Sequence, residues 1–342
     1  MNTFYAALFR ACLCLMVLAA PSALAAHDIK QVENIVWASP AGFDLTLDIA
    51  VPQTDTPAKP VLIIFHGGGW LLNNQSIMTD LANSIASRSD VITVNVNYRL
   101  LIDVNNTTTP SQMVEDAMGA VLWVKDNIHR YGGNPNKIAI TGDSAGGHLA
   151  TMVTLAGRQL SSSGFTEEPL GFNPTYRPKG MTAEQIAQQD GLKLQAVILS
   201  YPAFSLYEAA RNGFEQADNP FWQWAGGEAR GMFGKHISVE NQPHYYKAVS
   251  ADPYMINAKD YALPPQFVLV GEQDNLTTPT SIRQYVEQLH ALDQPAQMKV
   301  YADRGHGFLD SGCNDYNNGC FAELSEPTVN DMISFLNEVF DL

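Results

Sequence analysis

The chain has 342 residues, 46% of them hydrophobic and 16% charged, with 25 Gly and 19 Pro. That composition excludes disordered, collagen-like and coiled-coil classes, and the length suits one large α/β domain or two smaller ones. With 20 Lys and Arg against 35 Asp and Glu, the formal charge of −15 repels phosphate backbones and anionic lipid, so no nucleic-acid partner is expected.

Residues 1–25 read as a secretory signal peptide. Arg10 is the only charge before His27, Ala11 to Ala20 is a continuous apolar run, and Pro21 ends it. Ala23-Leu24-Ala25 fits the small-residue cleavage pattern. The run is too short to span about 30 Å of hydrocarbon, and an uncleaved anchor would have to bury Arg10. Residues 26–342 are therefore expected as an exported chain, secreted or periplasmic, without stable membrane insertion. Cys12 and Cys14 leave with the signal. Cys313 and Cys320 read as a short-loop disulfide, since no flanking C-x-x-C or paired His supports zinc.

Phe43, Leu45, Leu47, Ile49 and Val51 alternate with small or polar residues, predicting a half-exposed strand. Val61 to Phe65 is a continuous apolar run and reads as a buried strand, and Val91 to Val96 is a third. Val114, Ala117, Met118, Val121, Val124 and Ile128 repeat at helical spacing until Gly132-Gly133. Beyond them come a strand at Lys137 to Thr141, a helix at Ala145 to Ala156, and strands at Leu194 to Ser200 and Gln266 to Val270. A helix at Ser281 to Leu292, a strand at Met298 to Tyr301 and a helix at Thr328 to Phe340 close the chain. This alternation predicts an α/β fold with a mostly parallel sheet, helices on both faces and an antiparallel edge. Two stretches, 158–190 and 204–262, interrupt the rhythm after successive strands and are read as lid insertions.

Strand, turn and helix surround Gly142-Asp143-Ser144-Ala145-Gly146-Gly147, which is G-x-S-x-G in the setting that gives it meaning. A nucleophile on a sharp turn needs neighbours without bulky side chains, and the helix beginning beside it offers N–H groups to a developing anion. His66-Gly67-Gly68-Gly69-Trp70 follows the buried strand directly. Such glycines let backbone N–H groups approach a tetrahedral oxyanion. No Lys-Ser/Thr follows them, so a phosphate-cradling loop fails. His66 reads as a structural residue of that loop.

Acid and base are expected in the order Ser, Asp, His. Asp274 follows one strand and His306 the next, with Glu272 as competing acid. A serine hydroxyl is a poor nucleophile until a neutral imidazole takes its proton and a carboxylate fixes the imidazole's tautomer. His129, His148, His236, His244 and His290 read as structural or surface residues.

These motifs, with Asn97-Tyr98-Arg99-Leu100, His148-Leu149-Ala150 and Gly305-His306-Gly307-Phe308, resemble the α/β-hydrolase esterases. The similar branches are the hormone-sensitive-lipase-like carboxylesterases and the feruloyl/acetyl-xylan esterase-like group. His66 lies too soon after the expected cleavage site for a long N-terminal helical cap, which favours the compact second group. The resemblance runs from about Phe43 to Leu342. It implies a cofactor-free carboxylic ester hydrolase, with Ser144, Asp274 and His306 as triad and Gly67, Gly68 and the N–H of Ala145 as oxyanion hole. No metal is expected.

The reaction expected is hydrolysis of short-acyl esters of a small-molecule or carbohydrate alcohol through an acyl-enzyme on Ser144. The alternatives are an aryl formamidase and a non-catalytic binding protein of the same fold. Aromatic residues in 204–262, among them Phe221, Trp222, Trp224, Phe233, Tyr245 and Tyr246, are candidates for pocket walls or for the insertion's own core. Oligomeric state is not readable. The polar loop after His306 is expected to need the Cys313–Cys320 ring to steady the histidine. A calcium site there is a weak alternative, because Asp315 to Gly319 lacks EF-hand spacing.

Overall fold

The computed structural model describes residues 26–314 and 319–342, so the expected signal peptide and its two cysteines lie outside the described residues. The main strands are β1 (Ile29–Ala38), β2 (Leu45–Pro52), β3 (Lys59–Phe65), β4 (Ile92–Val96), β5 (Gly133–Asp143), β6 (Ala196–Ser200), β7 (Gln266–Gly271) and β8 (Ala296–Tyr301). A small ladder, β9 (Cys313–Asn314) with β10 (Gly319–Cys320), follows. Helices are α1 (Thr79–Arg88), the single turn α2 (Asp103–Asn106), α3 (Pro110–Asn127), α4 (Ser144–Ala156), α5 (Ala183–Gln188) and α6 (Leu206–Arg211). Then come α7 (Pro220–Ala225), α8 (Pro243–Ala248), α9 (Pro279–Ala291), α10 (Phe321–Leu324) and α11 (Glu326–Phe340).

Eight strands form one sheet in the order β1-β2-β4-β3-β5-β6-β7-β8. β1 pairs with β2 and β2 with β4 in antiparallel fashion, while every pairing from β4 through β3 to β8 is parallel. The chain steps from β3 outward to β4, then back across β3 to β5. Right-handed crossovers in opposite directions place α1 and α3 on opposite faces of the sheet. α4 packs beside α3, and α11 beside α1. The resulting core explains the unbroken apolar runs: every residue of β3, β4, β6 and β7 is buried.

The reversal of direction at β3 and β5 leaves a crevice at their C-terminal ends, where α/β sheets hold ligands. Phe65 is in register with Gly142, so the His66 loop and the Ser144 turn leave the sheet side by side. The stretches read as insertions carry α5 in one case and α6, α7 and α8 in the other.

Two of the longer elements, β1 and α1, escaped the sequence reading, along with the short α2, α10, β9 and β10 and the helices within the insertions. β1 is interrupted by register shifts at Val32/Ile35 and Val36/Ala38, and Asn34 stands at φ +56°, so its apolar residues do not alternate cleanly. α1 buries only Leu81, Ala82, Ile85 and Ala86, a face half made of alanine that gives a weak helical signal.

Candidate active site

Ser144 is the first residue of α4 and stands at φ +50°, a left-handed conformation that costs a non-glycine residue energy and lifts its side chain out of the turn. The turn is possible because its neighbours are small. A Cβ on Gly146 would overlap the carbonyl oxygen of Phe65 at the end of β3.

The structure brings the three predicted residues together. The Ser144 hydroxyl lies 2.9 Å from Nε2 of His306, and Nδ1 of His306 lies 2.8 Å from Oδ2 of Asp274. The Asp274 carboxylate is buried and accepts three further hydrogen bonds. Oδ1 takes the N–H groups of Leu276 (2.9 Å) and Thr277 (2.8 Å), and Oδ2 takes the Thr277 hydroxyl (3.0 Å). Glu272, the competing acid, is exposed and takes no part.

The sequence missed Thr277 and Tyr201. Oγ1 of Thr277 is also within 2.8 Å of the carbonyl of Tyr201 and 3.2 Å of Nδ1 of His306. The buried Tyr201 ring meets the His306 ring edge-on at 5.0 Å, closing the imidazole's rear. Neither residue belongs to a sequence pattern; both are recruited by tertiary position.

The oxyanion-hole expectation needs one correction. The N–H of Gly67 donates to Oδ1 of buried Asp143 at 2.7 Å, so it anchors the loop and does not face the cavity. The N–H groups of Gly68 and Gly69 have no protein acceptor among the described residues. Gly68 has φ +119°, a conformation open to glycine, and Gly69 lines the same cavity as Ser144. The N–H of Ala145, in the first turn of α4, has no intrahelical acceptor. Gly68, Gly69 and Ala145 are thus the available donors; Gly69 was legible in the H-G-G-G run and passed over.

Burial shifts the ionisable groups around the loop. Burial pushes the His66 imidazole down to about 4; its Nδ1 sits 2.8 Å from the Gly67 carbonyl, and the ring stacks on Tyr98. Burial likewise lowers His148 to about 4. Its Nε2 bonds the Val249 carbonyl at 2.8 Å, and Nδ1 accepts the Trp70 indole N–H at 3.2 Å. Both histidines are structural, as expected, and His129, His236, His244 and His290 are exposed. Burial, reinforced by Asp310, pushes the Asp143 carboxyl well above the usual carboxylate range; Asp310 itself is pushed up to about 7 by burial.

A cavity of about 590 Å³ is lined by Ser144 together with Gly69, Trp70, Phe214 and Phe221 among others. Trp222 and Tyr246 of the same insertion are buried, so its aromatic residues divide between pocket wall and core.

Cys313 and Cys320 are disulfide-bonded across the β9–β10 ladder. The expectation of a calcium alternative falls largely on residues 315–318, outside the described residues. Among the described residues no group of three or more His, Cys, Asp or Glu is placed to hold a metal ion, and no helix is long and apolar enough to cross a membrane.

A family model described as alpha/beta hydrolase fold matches residues 62–310. The carboxylesterase NlhH of Mycobacterium tuberculosis is 31% identical over 278 residues, covering 79% of this chain and 74% of its own. The probable carboxylic ester hydrolase LipM of the same organism is 28% identical over 253 residues, 74% of this chain and 49% of its own. Among solved structures, the apo form of Thermogutta terrifontis esterase 2 superposes with a TM-score of 0.62, at 22% identity, covering 94% of this chain and 98% of that one. That likeness speaks to the fold.

Proposed function

The chain belongs to the alpha/beta hydrolase fold family and is a carboxylic ester hydrolase, and from that premise we propose that it works through an acyl-enzyme on Ser144 with short acyl groups. One observation carries the reading: the continuous hydrogen-bonded line from the Ser144 hydroxyl through His306 to Asp274. Ser144 Oγ attacks the ester carbonyl while Nε2 of His306 takes its proton, and Asp274 holds Nδ1–H and stabilises the imidazolium. The N–H groups of Gly68, Gly69 and Ala145 receive the oxyanion. The imidazolium returns its proton to the departing alcohol, and a water repeats the attack to release the acid.

The short-acyl reading is supported by a fixed aromatic wall: Trp70, which lines the cavity with Ser144, is held by its bond to His148 and by edge-on contact with Phe214 at 5.4 Å. The expected export is supported by the signal-like pattern of residues 1–25 and by the disulfide, a bond that persists in oxidising compartments.

The test uses purified protein, its Ser144→Ala variant and p-nitrophenyl esters of increasing chain length. Turnover is expected to be highest for acetate or butyrate and to fall by about 10⁴-fold or more in the variant. Persistent turnover in Ser144→Ala would sink the acyl-enzyme. A maximum at decanoate would sink the short-acyl preference.

A further inference from the structure

The ring of Phe221 sits where Gly69 lacks a side chain. Gly69 stands at φ +59°, and a Cβ on it would overlap Cδ1 of Phe221 and lie 2.7 and 2.8 Å from Cε1 and Cγ of that ring. The two residues come from distant parts of the chain. Gly69 belongs to the loop after β3, and Phe221 to α7 within the stretch 204–262. Both line the same cavity as Ser144. Neither the N–H nor the carbonyl of Gly69 makes a hydrogen bond to protein among the described residues, so packing has to fix this peptide.

The flanking residues are held firmly on both sides of the contact. On the loop side, the Gly68 carbonyl accepts the N–H groups of Leu71 (3.1 Å) and Leu72 (2.9 Å), and the Trp70 carbonyl accepts that of Leu101 (2.9 Å). On the insertion side, the Phe221 N–H donates to Oδ1 of Asn219 at 3.0 Å, and its ring packs on Phe214 and Trp224 at 6.2 and 5.4 Å. The Phe214 carbonyl accepts the Trp222 indole N–H at 2.9 Å, and its ring meets Trp70 edge-on at 5.4 Å. We propose that Phe221 is a positioning residue of the oxyanion hole, its ring holding the Gly69 N–H on the developing anion, so that the insertion completes the catalytic centre. The proposal rests on the acyl-enzyme reading and adds a residue that no sequence motif marks.

An oxyanion donor accelerates the reaction when it is already aimed at the place where charge develops. Loss of one such donor costs about 10²- to 10³-fold in kcat, and a misplacement of about 1 Å can cost 10²-fold. An aromatic ring against the Gly69 Cα restricts that peptide without taking its N–H, which a hydrogen-bonding side chain would do. The ring also keeps water from the same side, and a hydrogen bond is stronger in a site of low dielectric. Because the oxyanion forms during the reaction, the contact is expected to act on kcat more than on KM.

The experiment is a double-mutant cycle of Gly69→Ala and Phe221→Ala, read as kcat and KM for p-nitrophenyl acetate. Phe221→Ala is expected to lower kcat about 10- to 100-fold with KM changed less than about threefold, and Phe221→Leu to recover most of the loss. Gly69→Ala drives a methyl group into the ring and is expected to lower kcat about 100-fold or more. In the double variant that methyl has room, so kcat should exceed that of Gly69→Ala alone. Losses that simply multiply would overturn the proposal, as would a Phe221→Ala effect confined to KM. If thermal melts show Phe221→Ala unfolded at 25 °C, Phe221→Val takes its place in the cycle. Ethylboronic acid gives a readout without turnover: the Ser144 oxygen adds to boron as His306 takes the proton, and the tetrahedral adduct puts an oxygen in the hole. Its Kd should rise in Phe221→Ala by about the factor lost in kcat/KM, as for a transition-state analogue. An unchanged Kd would overturn the proposal. A wild type that neither turns over the ester nor binds the boronic acid would instead refute the acyl-enzyme reading beneath it.

Discussion

The N–H of Gly67 and the carboxyl of Asp143 are joined by a 2.7 Å hydrogen bond, tying the loop after β3 to the residue that precedes the nucleophile. Burial and Asp310 push this carboxyl well above the usual range, so its acceptor oxygen and its charge can be tested apart. Asp143→Asn keeps an acceptor at the same place and is expected to hold kcat at pH 7 within about threefold. Asp143→Ala orphans a buried N–H, a cost of about 1–3 kcal/mol, and lets the oxyanion loop drift. There kcat should fall about 10- to 100-fold, with a lower Tm. Equal losses in the two variants would show that the charge itself matters.

Thr277 offers a second separation of position from chemistry. Its hydroxyl contacts Asp274, His306 and the Tyr201 carbonyl, while two backbone N–H groups hold the other oxygen of Asp274. Thr277→Val keeps the shape and removes the hydroxyl. A hydrogen bond to a charged group contributes about 1.5–3 kcal/mol, so kcat should fall about 10- to 150-fold, with KM for p-nitrophenyl acetate little changed. A change confined to KM would place Thr277 in substrate binding instead.

The elbow was legible in the sequence because its sterics are local: β5, Ser144 and α4 are contiguous, and Gly146 must be small where it meets Phe65. Asp274 and His306 were legible because each follows a strand that the apolar pattern reveals. Gly67 was assigned to the oxyanion hole because its sequence position cannot show that Asp143 consumes its N–H. β1 was lost for a related reason, since its register shifts break the alternation by which a strand is recognised.

Glu115 makes stability depend on pH in the sense opposite to most carboxylates. Burial, with a smaller contribution from Asp116, pushes its carboxyl from 4.5 up to about 7, while its Oε1 accepts the Asn173 N–H at 2.9 Å. The folded state therefore holds this proton more tightly than the unfolded chain. The stabilisation is complete below about pH 4.5 and is lost as pH rises through 7, on the order of 3 kcal/mol in all. Glu115→Gln keeps an acceptor for Asn173 and cannot ionise, so unfolding free energies at pH 5 and pH 8 should lie closer together than in the wild type. An unaltered difference would mean that other groups set the slope.

The polar composition of its loop suggests that the disulfide steadies His306, but the contacts between them predict an effect on stability more than on catalysis. Between His306 and Cys313 the chain is already fixed, because Phe308 and Leu309 are buried and the Leu309 N–H donates to the Tyr201 hydroxyl at 3.2 Å. Ser311 then docks on the start of α1. Its N–H donates to the Ile77 carbonyl (2.7 Å), its hydroxyl accepts the Asp80 N–H (2.9 Å), and the Gly312 N–H donates to the Asp80 carboxylate (2.8 Å). The histidine is held before the ring begins. Closing so small a loop contributes about 2–3 kcal/mol by the chain-entropy account, and in a chain of this length each kcal/mol moves Tm by roughly 2–4 °C or less. Replacing both cysteines by serine is therefore expected to lower Tm by several degrees while leaving kcat at 25 °C within about twofold. Thermal melts and initial rates on the same preparations decide it. A large loss of kcat well below the melting range would return the ring to the role of steadying His306.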